Sequence, residues 1–201
     1  MSEDVNASWE RFLNPDTLRQ HLIFSSMFIS AFEILKDSIV DHIKNFYING
    51  FDGVDWKIDP EYKNEVLDRS KSPIYASLDW LKEHEAIDQS DIDAFDNVRK
   101  CRNEIAHQLP RLLSEGLGAK NIEMFGEMVR ILKKIEVWWI VNLEIPANPD
   151  FDGKEIDEAG IVPGSLISLQ LMMDIALGAG EKDADWYYKE FKKMTNNDKL
   201  A

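Results

Sequence analysis

The chain of 201 residues contains a single cysteine, Cys101. That excludes an internal disulfide framework and fits a reducing compartment. Positive charge is scarce too: 23 Lys and Arg against 37 Asp and Glu leave a net charge of −14. A body of that sign repels nucleic-acid backbones at long range, so any contact with phosphate must be made by a local group of cations. Long apolar runs are few. The longest considered as a membrane span, Val137 to Ile145, is far too short and carries Asn142 and Glu144. No N-terminal apolar segment follows a basic stretch, so no secretion signal is expected. The resulting expectation is a soluble, cytoplasmic chain with no membrane partner.

Groups that could hold a metal or a phosphate cofactor are thin as well. Asp37 and Asp41 lie four residues apart with His42 beside them, but no further ligand is placed by sequence. The segment from Asn148 to Gly153 resembles the first half of a calcium loop, yet Pro149 interrupts it and its twelfth position is Ala159 instead of glutamate. Gly116 and Gly118, before Lys120, lack the strand and the Lys-Ser/Thr of a phosphate loop and read as helix punctuation. No metal and no cofactor are therefore expected.

What the chain does have is helical periodicity. Hydrophobic residues make up 44% and charged residues 30%, which are globular values, and there is no internal repeat. Residues 1–14 read as an arm with Trp9 and Phe12 able to dock. Asn14 then caps, Pro15 takes the first helical position, and an amphipathic helix runs to Tyr47 on Leu18, Leu22, Phe28, Phe32, Leu35, Ile39 and Ile43. Residues 48–58 read as a loop. Short helices follow from Asp59-Pro60 and from Ser72-Pro73 to Glu85. A strongly apolar helix runs from Lys120 through Trp138, Trp139 and Leu143 to Pro146, with its last two turns buried on more than one side. A polar segment leads to an amphipathic stretch, Pro163 to Leu177, and a short helix, Asp183 to Met194. The expected architecture is an all-α bundle of six or seven helices without a sheet. Its main domain covers 15–145, and 146–201 add a linker loop and C-terminal helices packed on it.

Between the short helices and the apolar one lies Asp91 to Pro110. Ser90 is a candidate N-cap with Asp93 three residues on, and Ile92, Phe95, Val98 and Ile105 mark the apolar stripe. Arg102 falls on that stripe. A guanidinium there needs a carboxylate or phosphate partner, or a stripe that faces another subunit. Glu33, beside the stripe of the long helix, is the candidate carboxylate; the alternative is a solvated surface glutamate. Pro110 removes an N–H and disfavours helix at Leu109, so the helix should finish near His107 or Gln108. On an ideal helix Arg102 and His107 are about 140° apart with roughly 7.5 Å of rise between them. Arg99, Lys100 and Arg111 add a local basic island, unless they merely neutralise the acidic first turns of the same helix. Cys101 reads as a small buried hydrophobe before a nucleophile, and the Trp138-Trp139 pair as core before a base-stacking platform.

The string Arg102-Asn103-Glu104-Ile105-Ala106-His107, near the end of a late helix in an all-helical chain, resembles the signature of the HEPN superfamily. That signature is Arg, four to six residues, then His, often with Asn after the Arg. The resemblance covers roughly 15–145. It implies an HEPN-like helical bundle with additional C-terminal helices, a homodimer with the site across the two chains, and RNA cleavage in toxin, antiphage defence or RNA-processing systems. A cognate antitoxin or defence partner protein goes with such systems. The chain departs from the subset with Tyr two residues after the His, because Leu109 stands there, so control by tyrosine modification is not available.

The chemistry can be argued from the residues themselves. An imidazole can take a proton from a ribose 2′-hydroxyl or give one to a leaving 5′-oxygen, and a guanidinium can hold the phosphate and its growing charge. Arg102, His107 and Asn103 are thus the expected catalytic group, with Glu33, Arg99, Lys100 and Arg111 in support. The expected function is a metal-independent endoribonuclease leaving a 2′,3′-cyclic phosphate. The alternative is a non-catalytic acidic helical binding or scaffold module, antitoxin-like or engaging RNA or protein, whose −14 charge meets a basic partner.

Overall fold

The structure is a computed structural model and describes residues 3–177, 186–189 and 192. Asn14 separates its first two helices, α1 (Glu3–Leu13) and α2 (Pro15–Phe46). The Asn14 side chain accepts from the N–H groups of Asp16 at 3.0 Å and Thr17 at 3.1 Å. Pro15 sits in the first turn, where its missing N–H is not needed. Residues 3–13, expected as an arm, are thus a helix, and it packs on α2 and on the motif helix. Buried Phe28, Ala31, Leu35, Ile39 and Ile43 recur at three or four residues along α2. Each large side chain so buried contributes about 1.5–3 kcal/mol by leaving water.

Residues 48–58 are not the plain loop expected. Strand β1 (Ile48–Phe51) pairs antiparallel with β2 (Trp56–Ile58). Asp52 turns the chain between them by accepting from Val54 N–H at 3.0 Å and Asp55 N–H at 2.9 Å, and Gly53 takes φ +102°. Strands this short and exposed leave no alternating apolar pattern, which is why periodicity missed them. After a π turn (Tyr62–Val66) and a 3₁₀ turn (Leu67–Arg69) comes α3 (Pro73–Glu83), which buries Leu78, Trp80 and Leu81.

Helices α4 (Gln89–Glu115) and α5 (Ala119–Trp139) complete a core with α2, centred on Phe28, Leu35, Phe95, Ile105, Met128 and Ile131. The cap of α4 is Asp88 and not Ser90: its carboxylate accepts from the N–H groups of Ser90 and Asp91, while Asp91 accepts from the Asp88 N–H at 2.9 Å. A tertiary contact chooses this register. The Asp91 side chain is only 1% exposed, takes a bond from Arg130 at 2.7 Å, and is also held by Lys134, both from α5. At the far end the helical dihedrals break at Gln108 (φ −121°, ψ 21°), so the regular helix ends where Pro110 is expected to end it. A further stretch runs to Glu115, and Gly116, at φ +94°, ends it.

Beyond α5 a π turn (Ile140–Glu144) and α6 (Ile145–Ala147) carry the helix one residue past Pro146. Trp139 is buried and stacked on Trp80 with centroids 5.9 Å apart, whereas Trp138 is half-buried. Helix α7 (Gly164–Leu177) packs on α2 and α5, burying Leu169 and leaving Ile167, Leu171, Met172 and Ile175 exposed. Val137 to Ile145 is therefore not the most membrane-like stretch. Glu158–Ala176, 19 residues of mean hydropathy 1.4, is long and apolar enough by composition to cross a membrane. Its continuous α-helix is 14 residues, about 21 Å at 1.5 Å each, short of a hydrocarbon core of about 30 Å. Of the helix expected from Asp183 to Met194, residues 186–189 and 192 are helical and the others lie outside the described residues. The fold is all-α with one small hairpin.

Burial pushes the Asp91 carboxyl up, but Lys134, the Asp88 N–H and Arg130 outweigh it and hold the group below the usual carboxylate range. A carboxyl depressed in the folded state adds stability that is present above its unfolded pKa of about 3.9 and lost as pH falls through the lower native value. Asp91→Asn is therefore expected to unfold about 2–3 kcal/mol more easily in urea at pH 7, because the bonds lost are to charged groups. The gap to wild type should narrow as the pH is lowered below about 4. A gap of the same size at pH 7 and pH 2.5 would show that the ion pairs are not the source.

Candidate active site

The buried face of α4 carries Phe95, Val98, Cys101 and Ile105, so Cys101 and not Arg102 holds the deep position between Val98 and Ile105. Arg102 emerges at the seam with α2. Its side chain is 28% exposed, its guanidinium lies 5.5 Å from the centre of the Phe32 ring, and Nη2 donates to Glu33 Oε1 at 2.9 Å. Glu33 is thus the carboxylate partner of Arg102, while its side chain stays 38% exposed. The seam explains the difference: only a side chain as long as arginine spans from α4 across Phe32 to Glu33.

Sequence reasoning missed Lys36, one turn along α2, which also binds Glu33. Its signal was the (i, i+3) spacing from Glu33. The Lys36 hydrogen bond, opposed by burial and joined by the bond from Arg102, holds the Glu33 carboxyl below its ordinary range. One carboxylate is therefore divided between two cations, with Asp37 adding a longer-range pull on Lys36.

Asn103 and His107 are both exposed. They stand at (i, i+4), about 40° apart on a helix, whereas Arg102 and His107 are about 140° apart. Asn103 lies between them in angle, and its Oδ1 faces Arg102 Nη1 at 3.5 Å, the long limit of a hydrogen bond. Arg99, Lys100 and Ala106 are exposed within about 60° of Asn103 on the same face. Of the supporting cations, Arg99 approaches Asp96 at 3.9 Å and lies over the Tyr75 ring, and Arg111 approaches Glu115 at 3.4 Å. Arg99 is thus paired with an acidic residue early in the helix, as the bland reading of the island had it, whereas Arg111 pairs with Glu115 at the helix end. Lys100 projects from the same exposed face.

The Cys101 thiol is buried, takes a bond from Asn121 Nδ2 at 3.3 Å, and is pushed up by burial, a setting of low nucleophilicity. His42 Nε2 faces Glu136 at 3.7 Å and its ring packs on Trp139. Among the described residues no three His, Cys, Asp or Glu side chains are grouped to hold a metal ion.

The site has one neighbour the sequence left unplaced. Arg11 Nε of α1 donates to the Ser114 carbonyl at 2.9 Å, tying α1 to the part of α4 beyond the break. Between them lies a cleft of about 450 Å³ lined by Val5, Ser8, Trp9, Phe12, Pro110 and Ser114. The Trp9-Phe12 spacing of three residues was its trace in the sequence. No protein-family model matches the chain, and neither does any curated protein or any solved structure.

Proposed function

We propose that the protein is a cytoplasmic, metal-independent endoribonuclease of HEPN type, acting in a toxin or antiphage system beside a cognate antitoxin or defence partner. The observation that carries this reading is that Arg102, with 28% of its side chain exposed, and exposed Asn103 and His107 lie within two turns of α4, with Asn103 Oδ1 facing Arg102 Nη1 at 3.5 Å. Arg102 keeps Nη2 on Glu33, which fixes its plane, and offers Nη1 to a phosphate oxygen. The ribose 2′-oxygen attacks phosphorus and the bond to the 5′-oxygen breaks, leaving a 2′,3′-cyclic phosphate. One imidazole can take the 2′-proton or supply the 5′-proton; a second copy of the chain would supply the other. The exposed face of Asn103 and Ala106 suits such a two-fold contact, since Ala106 lets a second α4 approach closely.

A second reading is favoured by a specific contact. Arg102 already has a carboxylate in Glu33, as it would in a binding module where the pair only joins α2 to α4. A double-mutant cycle separates the two. The pair is part-exposed, so Arg102→Ala, Glu33→Gln and the double variant should show a coupling of at most about 1 kcal/mol in urea unfolding, with the fold intact. On the enzyme reading Glu33→Gln frees the guanidinium and changes RNA cleavage while leaving stability nearly untouched. Stability loss in step with every functional change would favour the module.

Cleavage of single-stranded RNA should persist in EDTA, with cyclic-phosphate ends seen by mass spectrometry. His107→Ala should lose about a hundredfold or more. Arg102→Lys should also be poor, because lysine lacks the planar fork. Activity abolished by EDTA, or a fully active His107→Ala protein, would overturn the assignment. For the assembly, light scattering should give a dimer that Ala106→Arg converts to a less active monomer; a wild-type monomer at high concentration would remove the two-fold contact.

A further inference from the structure

We propose that the cleft between α1 and the end of α4 seats an unpaired nucleobase, stacked on Trp9, beside the phosphate gripped at Arg102 and His107. This rests on the ribonuclease reading and deepens it: the substrate is RNA that is single-stranded next to the scissile bond.

The cleft is built from flat and rigid surfaces. Trp9 is 53% exposed, an unusual state for the largest aromatic side chain, and its indole is set edge-to-face against Phe12 with centroids 6.1 Å apart. Pro110 also lines the cleft, a second rigid apolar surface, together with Ser8 and with Ser114, whose hydroxyl donates to the Arg111 carbonyl at 2.9 Å and can still accept. A volume of about 450 Å³ lies within the range of small-ligand clefts, roughly 300–1,000 Å³. Walls that are apolar and planar with hydroxyls among them match a base: a π face to stack and an edge to hydrogen-bond.

Position argues for a base of a nucleic-acid strand over a free aromatic ligand. Pro110 follows His107 by three residues, so the cleft begins just across the Gln108 break from the imidazole. Two arginines adjoin the cleft in sequence: Arg11, anchored on the Ser114 carbonyl, and exposed Arg111, the residue after Pro110, which approaches Glu115 at 3.4 Å. A strand laid along this end of α4 would put phosphate on the arginines and a base into the cleft. A duplex has no free base to offer, so the cleft selects unpaired RNA.

The test uses the full chain carrying His107→Ala, so that RNA survives, with a fluorescein-labelled single-stranded RNA octamer, adenosine 5′-monophosphate and ribose 5-phosphate as probes. The Trp9 indole N–H resonance, assigned by its loss in Trp9→Phe, should move with the octamer and the adenosine probe but not with ribose 5-phosphate. Trp9→Ala should weaken octamer binding about tenfold or more, Trp9→Phe should recover most of it, and circular dichroism should show both folded. In the His107 protein, Trp9→Ala should raise KM more than it lowers kcat. If wild type cleaves RNA but the Trp9 resonance stays still and Trp9→Ala binds normally, the cleft proposal falls and the ribonuclease stands. If Trp9 responds to the base but wild type cleaves nothing, the ribonuclease reading falls and the cleft remains a base site. A still resonance with no cleavage overturns both.

Discussion

The backbone N–H that Pro110 lacks shapes this end of the molecule. Without it α4 cannot hold helical dihedrals through Gln108, so the regular helix that presents Arg102, Asn103 and His107 closes just after the imidazole. The stretch that follows is set by its own contacts: Arg11 grips the Ser114 carbonyl, and Gly116 turns the chain out at a positive φ that other residues seldom adopt. One missing donor therefore places the histidine at a helix end and gives α1 a surface to pack on. The cleft exists because the break and the α1 contact occur within one short span of sequence.

Two carboxylates in this fold are each held by two cations, and solvent decides what each arrangement does. Asp91 is almost fully buried between Arg130 and Lys134, so its charge cannot be rehydrated, and its ion pairs lock the start of α4 to α5. Glu33, divided between Lys36 and Arg102, is 38% exposed. Water competes there, the pairs contribute little to stability, and the guanidinium can exchange part of its bonding for an incoming anion. The rigid clamp holds the first turn of α4 and the adjustable one its middle, which keeps the helix in register while the Arg102 side chain stays partly open.

Much of this was legible in the sequence because it rests on local rules. Asn14-Pro15 announces a helix start by chemistry alone, and the stripe of α2 reads out its buried face. Arg102 announced a partner because a guanidinium near a core cannot be left alone. What could not be read was which of two adjacent residues faces inward: Cys101 and Arg102 differ by 100° on the helix, and only the packing of α2 decides. The cap slipped from Ser90 to Asp88 for the same reason, since the contacts that choose it come from Arg130 and Lys134, some forty residues away in the chain. The hairpin at 48–58 escaped because strands of four and three residues carry no period, although Asp52-Gly53 is a turn signal.

The net charge of −14 bears on how such a site would choose its substrate. An acidic body offers no long-range pull on a polyanion, and within about 10 Å at moderate salt only the cations at the motif end can act. Few phosphates are then neutralised, so non-specific association is weak and its salt dependence shallow. Binding must draw on contacts that do not depend on charge, and near His107 the surface that supplies them is the Trp9 cleft. A strand would have to satisfy both conditions at once, a phosphate at Arg102 and an unstacked base against Trp9. On the proposed reading, the acidity of the rest of the protein is thus part of the selectivity: it removes the indiscriminate attraction that would otherwise hold any RNA, paired or not.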